Sequence, residues 1–273
     1  MKILIIDAYN MIHRSRFGFA QGEHAITFTF FRSLKSEIVK HEADKVFIVS
    51  EGVPFHRLAI NSDYKGQRKP IQDDLFHKQK HEILNLCLHL PVTFIRHPNY
   101  ECDDVIGFLC KNADLKDKVT IVSSDSDFIQ LLDLDNVSLW NPIKKQFVDK
   151  WPVDYVTWKS LKGDPTDNVS GIKGVGEKRA FNLAENHTVL NNFLNEDPER
   201  RNIFEKAYKQ ILLADIDHTS SDWEIKNCLF DENHVFRAFT DYGFKSIIGN
   251  AWTSWKQTLE NLNNVTTKCT AYK

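Results

Sequence analysis

The chain has 273 residues, of which 42% are apolar and 26% charged, and carries a formal net charge of −2. That length predicts one large or two modest domains, and the composition is ordinary for a soluble globular protein. No apolar run approaches the ~20 residues of a membrane span, and the near-zero net charge gives no global basic signal for nucleic acid, so charge placement has to be read instead.

The opening Met1-Lys2-Ile3-Leu4-Ile5-Ile6-Asp7 has too short an apolar run for a signal peptide and no small-residue cleavage site, which predicts residence in a cytosol. Residues 2–8 read as a strand buried on both faces, the kind found in parallel sheets, and Asp7 ends it. Residues 27–40 carry Phe28, Phe31, Leu34 and Ile38 on one helical face, and Val46-Phe47-Ile48-Val49 follows as a second apolar strand ending at Glu51-Gly52. Strand, helix, strand in this order predicts a right-handed crossover and a parallel sheet. Residues 53–82 break the rhythm: Arg57, Lys65, Arg68, Lys69, Lys78 and Lys80 are interleaved with Tyr64 and Phe76. A solvated, charged connection explains them as well as a nucleic-acid surface does.

A helix over 77–89 leads to a strand at 92–95, and then to Tyr100-Glu101-Cys102-Asp103-Asp104-Val105-Ile106. Three acids in the first turn of a helix suit its free N–H groups and macrodipole, which accounts for one or two of them. The five cysteines are odd in number and form no CxxC pair, so neither a disulfide framework nor a zinc ribbon is expected, and Cys102 is expected to face the core. A strand at 119–122 ends in Ser124-Asp125-Ser126-Asp127; a short strand near 137–140 follows, with 144–148 as a hairpin partner. Asp7, Glu51, Glu101 and the Asp125/Asp127 pair thus each lie just past the carboxyl end of a predicted strand, the edge where open parallel sheets bind ligands.

Beyond about residue 152 the strands are expected to stop. A helix carrying Val156, Trp158 and Leu161 precedes Gly163-Asp164-Pro165-Thr166-Asp167-Asn168 and Gly171-Ile172-Lys173-Gly174-Val175-Gly176-Glu177-Lys178-Arg179. Glycines spaced this way before a helix let backbone amides approach a phosphate, and the pattern has the form of a helix-hairpin-helix DNA-backbone clamp rather than a Walker loop. The remainder reads as helices with breaks near Pro198, Ser220-Ser221 and Gly243; Trp252 and Trp255 are assigned to a core, and the last ten residues are expected to fray. Seven or more carboxylates on one sheet edge repel one another unless cations neutralise them. Oxygen-only ligands point to magnesium, with manganese as a substitute. Two such ions ~4 Å apart suit phosphodiester hydrolysis, and the clamp and basic insertion make the substrate a polynucleotide.

These motifs, in this order, resemble the flap endonucleases and 5′–3′ exonucleases: Asp7, the Tyr64-Lys65-Gly66-Gln67-Arg68 run, Glu101-x-Asp103-Asp104, Ser124-Asp125-x-Asp127, and Gly163-Asp164-x-x-Asp167 with the 171–178 hairpin. The resemblance spans residues 1 to about 185 and is similar to stand-alone bacteriophage members and to the 5′ nuclease domain of bacterial DNA polymerase I. It implies an α/β, PIN-like parallel-sheet nuclease domain over 1–152 with a helical arch at about 53–90, and a helical, helix–three-turn–helix DNA-binding region over 153–273 with a helix-hairpin-helix motif at about 163–185. It also implies that Asp7, Glu51, Glu101 and Asp103 hold one metal with Asp104 alongside, and that Asp125, Asp127, Asp164 and Asp167 form or support a second site. Lys65 and Arg68 match residues at the scissile phosphate, and Tyr64 a residue stacking on the terminal base pair. By the same resemblance Arg14 lies where the family often carries a basic residue near the site, and Gly174, Gly176, Lys178 and Arg179 would grip the duplex backbone. Potassium is expected on the backbone carbonyls of 171–176. Branched or 5′-ended duplex DNA or an RNA–DNA hybrid is the expected substrate, replication proteins are the expected partners, and a monomer is the expected state. Glu51 departs from the family pattern, which has Asp at this point.

Three other readings stand beside this one: a PIN-type ribonuclease, which would not need the hairpin clamp; a haloacid-dehalogenase-like phosphatase, whose Asp-x-Asp is missing since Ala8-Tyr9 follow Asp7; and a non-catalytic branched-DNA-binding protein, for which replaced acids are expected.

Overall fold

The computed structural model describes residues 1–266, with side chains described through Leu262. Its centre is a seven-stranded sheet. Strands β1 (Lys2–Asp7), β2 (Lys45–Val49), β3 (Thr93–Arg96), β4 (Lys118–Val122) and β5 (Val137–Asn141) run parallel, while β6 (Gln146–Phe147) and β7 (Glu224–Asn227) close the two edges antiparallel, in the order β6-β5-β4-β1-β2-β3-β7.

Period-two alternation sends the residues of β1 to two different cores. Leu4 and Ile6 pack on one face with α1 (Ala8–Ser15), α2 (Ala25–Lys40) and α4 (Asp74–Cys87); Ile3 and Ile5 pack on the other with α5 (Cys102–Lys111) and a 3-10 helix over Ser126–Asp133. Burial on both faces explains the unbroken apolar runs of β1 and β2. The chain runs β1, β2, β3 outward on one side, then returns to lay β4 and β5 on the other. The order therefore reverses between β1 and β4, and the crevice at their carboxyl ends is the switch point of the sheet.

A third core forms beside the sheet from α6 (Tyr155–Lys162), the 171–176 hairpin, α7 (Glu177–Glu185) and α8 (His187–Asn195), with α9 (Pro198–Ile211) covering α6. The expectation that strands stop after residue 152 is corrected here: β7 pairs with β3, Ile95 opposite Ile225. Behind it, α10 (Glu232–Asp241), α11 (Lys245–Ile248) and α12 (Trp252–Thr266) put Val235, Phe239, Ile247, Trp255 and Leu259 into the first core, so these contacts cross the expected division at 152. Trp255 is buried there and Trp252 packs against it, as the sequence predicts. The helix expected over 77–89 begins earlier because Asp73 caps it, accepting the Phe76 N–H at 3.0 Å. Segment 53–90 is α3 (Phe55–Ile60), a turn-rich stretch and α4. Among the described residues no helix is long and apolar enough to cross a membrane. The last ten residues fall beyond the described side chains.

Candidate metal centre

Asp7 ends β1 and caps α1. Its Oδ1 accepts the Asn10 N–H at 3.0 Å, its Oδ2 accepts the Ser123 hydroxyl at 2.9 Å, and the Cys102 thiol donates to it at 3.5 Å. Burial lifts its carboxyl to about 6, against the pull of those hydrogen bonds. Asn10 also binds Ser124, Nδ2 to Oγ at 2.8 Å, which ties the start of α1 to the loop after β4 across the switch point. Glu51, two residues past β2, accepts the Cys102 N–H at 3.5 Å; burial and then the charges of Asp103 and Glu101 push it up to about 8. The extra methylene thus still brings this carboxylate to the start of α5. Cys102 itself is buried in the second core as expected.

The first turn of α5 supplies Glu101, Asp103 and Asp104, and a cation sits under them. Arg57, on α3 and 1% exposed, donates Nη1 to Glu101 at 2.7 Å and to Asp104 at 2.6 Å, Nη2 to Asp104 at 2.7 Å, and Nε to the Gln210 carbonyl at 2.8 Å. Asp104 is fully buried and also accepts the Ala214 N–H at 2.8 Å, so its oxygens are held by protein donors. Asp104 thus anchors α5 to α3 and to the strap after α9, with its oxygens beside those of Glu101 and Asp103. Asp103 and Asp104 titrate as a pair. Burial opposes charge on both, Arg57 and Lys65 hold the first ionisation low, and the neighbour's charge pushes the second up.

Asp125 caps the 3-10 helix, accepting the Asp127 N–H at 2.9 Å, and stands at the rim facing solvent while protein crowds it from behind and raises its carboxyl. Asp127 is raised to about 7, chiefly by burial, although Lys159 lies against it. Lys159 also reaches Asp164 at 2.7 Å; burial raises the Asp164 carboxyl but the Lys159 hydrogen bond and charge outweigh it and leave it low. Asp167 binds Arg68 and accepts the Tyr64 hydroxyl at 3.2 Å.

Lys65, whose φ is +55°, donates to Glu101 and lies 3.8 Å from Asp167, and its own N–H bonds the Asp167 carbonyl at 3.0 Å. The basic turn is sewn to the 164–168 loop by further bonds, Gln67 to the Pro165 carbonyl and Asn168 to the Asp63 carbonyl. Tyr64 is 6% exposed, and its hydroxyl donates toward Glu101 at 3.0 Å. The expectation that Tyr64 stacks on a terminal base pair is corrected here: its ring is buried beneath the acids and offers no open face. Arg14 sits on α1 in the field of Asp7 and Glu37, with one guanidinium nitrogen buried and unpaired.

Of nine carboxylates, Glu101, Asp103, Asp104, Asp127, Asp164 and Asp167 are ion-paired to Arg57, Lys65, Lys159 and the exposed Arg68, while Asp7, Glu51 and Asp125 lie beside them without a salt bridge among the described residues. Oxygens of Glu101, Asp103 and Asp104 lie within 4.8 Å of one another, as do those of Asp127, Asp164 and Asp167. An oxygen-only donor set with net negative charge and raised carboxyls fits hard divalent cations. Lys178 and Arg179 stand exposed in the first turn of α7, where Arg179 lies 5.0 Å over the Phe193 ring. A Cβ at Gly174 or Gly176 would meet nothing within 4 Å, so this backbone is open.

Arg57 and Lys159 were not distinguishable in the sequence. Each is one basic residue among many, and only the fold shows that it is buried between acids.

The acids thus line a crevice at the switch point of a parallel sheet, with the glycine hairpin beside it. Residues 2–158 match the family model of the 5′–3′ exonuclease N-terminal resolvase-like domain, and the chain belongs to that 5′–3′ exonuclease family. It is 29% identical over 276 residues to a 5′–3′ exonuclease of Aquifex aeolicus, covering 91% of this chain and 94% of that one. It is 30% identical over 209 residues to the thermostable DNA polymerase I of Thermus thermophilus, covering 71% of this chain; the chain spans about a quarter, 25%, of that relative's length. The D15 flap endonuclease of bacteriophage T5, solved in complex with DNA and metal ions, superposes with a TM-score of 0.61 at 18% identity, over 98% of this chain and 100% of that one. The fold is shared with that flap endonuclease.

Proposed function

We propose that this protein is a divalent-metal-dependent 5′ nuclease that hydrolyses phosphodiesters in branched or 5′-ended duplex DNA, acting as 5′–3′ exonuclease and flap endonuclease. The observation that carries this reading is the excess of carboxylates over cations at the switch point, joined through Lys159 and Asp164 to the hairpin. Magnesium, with manganese as a substitute, is the expected metal. Glu101 and Asp103, with Asp7 and Glu51 beside them, would hold one ion; Asp125, Asp127, Asp164 and Asp167 would hold or orient the other. Bound divalent cations supply Lewis-acid stabilisation of the phosphoryl oxygens and a nucleophilic water near neutral pH. Lys65 and Arg68, paired to Glu101 and Asp167 in this structure, are at hand to exchange those partners for the oxygens of the scissile phosphate.

Gly174 and Gly176 let the duplex backbone come close, and Lys178 and Arg179 add charge there. The carbonyls of 171–176 suit potassium, and Arg14 is a further basic residue near Asp7. RNA–DNA hybrids, as in primer removal, are a natural second substrate; the protein would act as a monomer in the cytoplasm beside replication proteins. The division into a nuclease part, 1–152, and a DNA-binding part, 153–273, is proposed in the functional sense.

The test is cleavage of a labelled 5′-flap duplex with and without magnesium, against a matched single strand. Metal-dependent cutting near the junction is expected. Cutting of single-stranded RNA alone would replace this reading with a ribonuclease, and tight binding without cutting would replace it with a passive clamp.

A further inference from the structure

We propose that His89, Asp231 and His234 form a second metal site, one for a borderline transition cation such as Zn2+ or Ni2+. The residues come from two distant parts of the chain. His89 lies in the turn between α4 and β3, Asp231 caps α10, and His234 is in the first turn of that helix. The backbone holds them together: the Asp231 N–H donates to the His89 carbonyl at 3.0 Å, and Asp231 Oδ1 accepts the His234 N–H at 3.0 Å. That leaves Oδ2 toward the imidazoles, 3.7 Å from His89 Nδ1. The two rings stack with centroids 3.6 Å apart and 9° between planes.

One ligand atom from each residue falls within 4.8 Å of the others. A tetrahedral ion with bonds near 2.0–2.1 Å places its donors about 3.3 Å apart. Converging on one ion requires the two stacked imidazoles to rotate out of their parallel arrangement, which their part or full exposure leaves room for. Two imidazoles and one carboxylate leave a fourth position for water. This donor set is chemically unlike the crevice described above: imidazole suits zinc, nickel and copper, whereas all-oxygen ligands suit magnesium and manganese. Two metals can therefore be sorted between two sites of one chain.

Location separates the sites as well. His89 precedes β3 and so lies toward the amino ends of the parallel strands, while the acids cluster beyond their carboxyl ends. An ion here would join the entry of β3 to the helix following β7, stapling the late strand to the sheet it completes. Binding only the folded form, it raises stability by mass action.

Equilibrium dialysis of the chelator-treated full chain against Zn2+, at pH 7.5 with millimolar Mg2+ to fill the acidic crevice, tests the proposal. The expected result is one equivalent of Zn2+ on the wild type that His89→Ala and His234→Ala both lose. Asp231→Asn keeps the helix cap and is expected to bind at least tenfold more weakly. With Co2+ in place of zinc, the wild type is expected to show a visible absorption band that His234→Ala lacks. Magnesium-dependent cleavage should be unchanged in all three variants, since none of these residues belongs to the nuclease site. Equal zinc stoichiometry and affinity across wild type and variants, each folded by circular dichroism, would overturn the proposal.

Discussion

Arg57 holds two carboxylates with one buried guanidinium. Removing it leaves Asp104 buried and unpaired, so Arg57→Ala is expected to cost about 3–5 kcal/mol in urea denaturation, and Asp104→Asn in the same chain should recover part of it. A loss below 1 kcal/mol would mean that Asp104 is neutral in the folded protein. The carboxylates proposed as metal ligands are expected to behave differently. Asp103→Ala and Asp125→Ala are expected to abolish cleavage while duplex binding persists, and a variant cutting at the wild-type rate would remove that residue from the site. Lys65→Ala should lower turnover far more than affinity, because Lys65 reaches Glu101 in the proposed metal site. At this scale the acids were legible in the sequence because each follows an apolar strand or opens a helix. Their counter-ions were not, since a buried lysine such as Lys159 is spelled like a solvated one.

Among the elements, the segment after α6 is tightly specified at Gly163 and Gly171. A Cβ on Gly171 would meet the Lys162 carbonyl carbon at 2.2 Å, and Gly163 has φ +79° with Gly171 N 2.4 Å from its would-be Cβ. Both substitutions force backbone apart, so Gly171→Ala is expected to lower the melting temperature and weaken duplex binding together. Lys178→Ala, exposed on α7, should leave stability alone and reduce the salt slope of duplex binding by about one charge; an unchanged slope would place Lys178 off the DNA. The parallel strands could be read from their apolar runs, and α7 from its glycines. Strand β7 could not: Glu224-Ile225-Lys226-Asn227 is exposed throughout and takes its structure from pairing with β3, a long-range effect that a short polar segment does not announce. Helix α3 is likewise six residues long and set by the burial of Arg57.

Across the whole molecule, the raised carboxyls couple stability to pH and metal. Asp7 at about 6, Asp127 at about 7 and Glu51 at about 8 all bind protons more tightly folded than unfolded. Their contribution is full below the ordinary carboxylate range and is lost as pH rises through those values. In EDTA the melting temperature is therefore expected to fall between about pH 5 and pH 8. Magnesium should restore more at pH 8 than at pH 5, because only the deprotonated carboxylates bind it. Equal magnesium effects at both pH values, measured by calorimetry, would show that these groups are not the ligands.

The bond from the Ala214 amide to Asp104 has a bearing on synthesis. While the polypeptide is still being made, the first helix of acids emerges long before the strap that satisfies its buried member, and later still comes β7, which seals the open edge beside β3. A ribosome-bound nascent chain of two hundred residues thus carries every proposed metal ligand and still lacks a partner that helps fix α5 in place. Nuclease competence then arrives late in translation, so a prematurely terminated product is expected to be inert rather than a loose cutter of DNA.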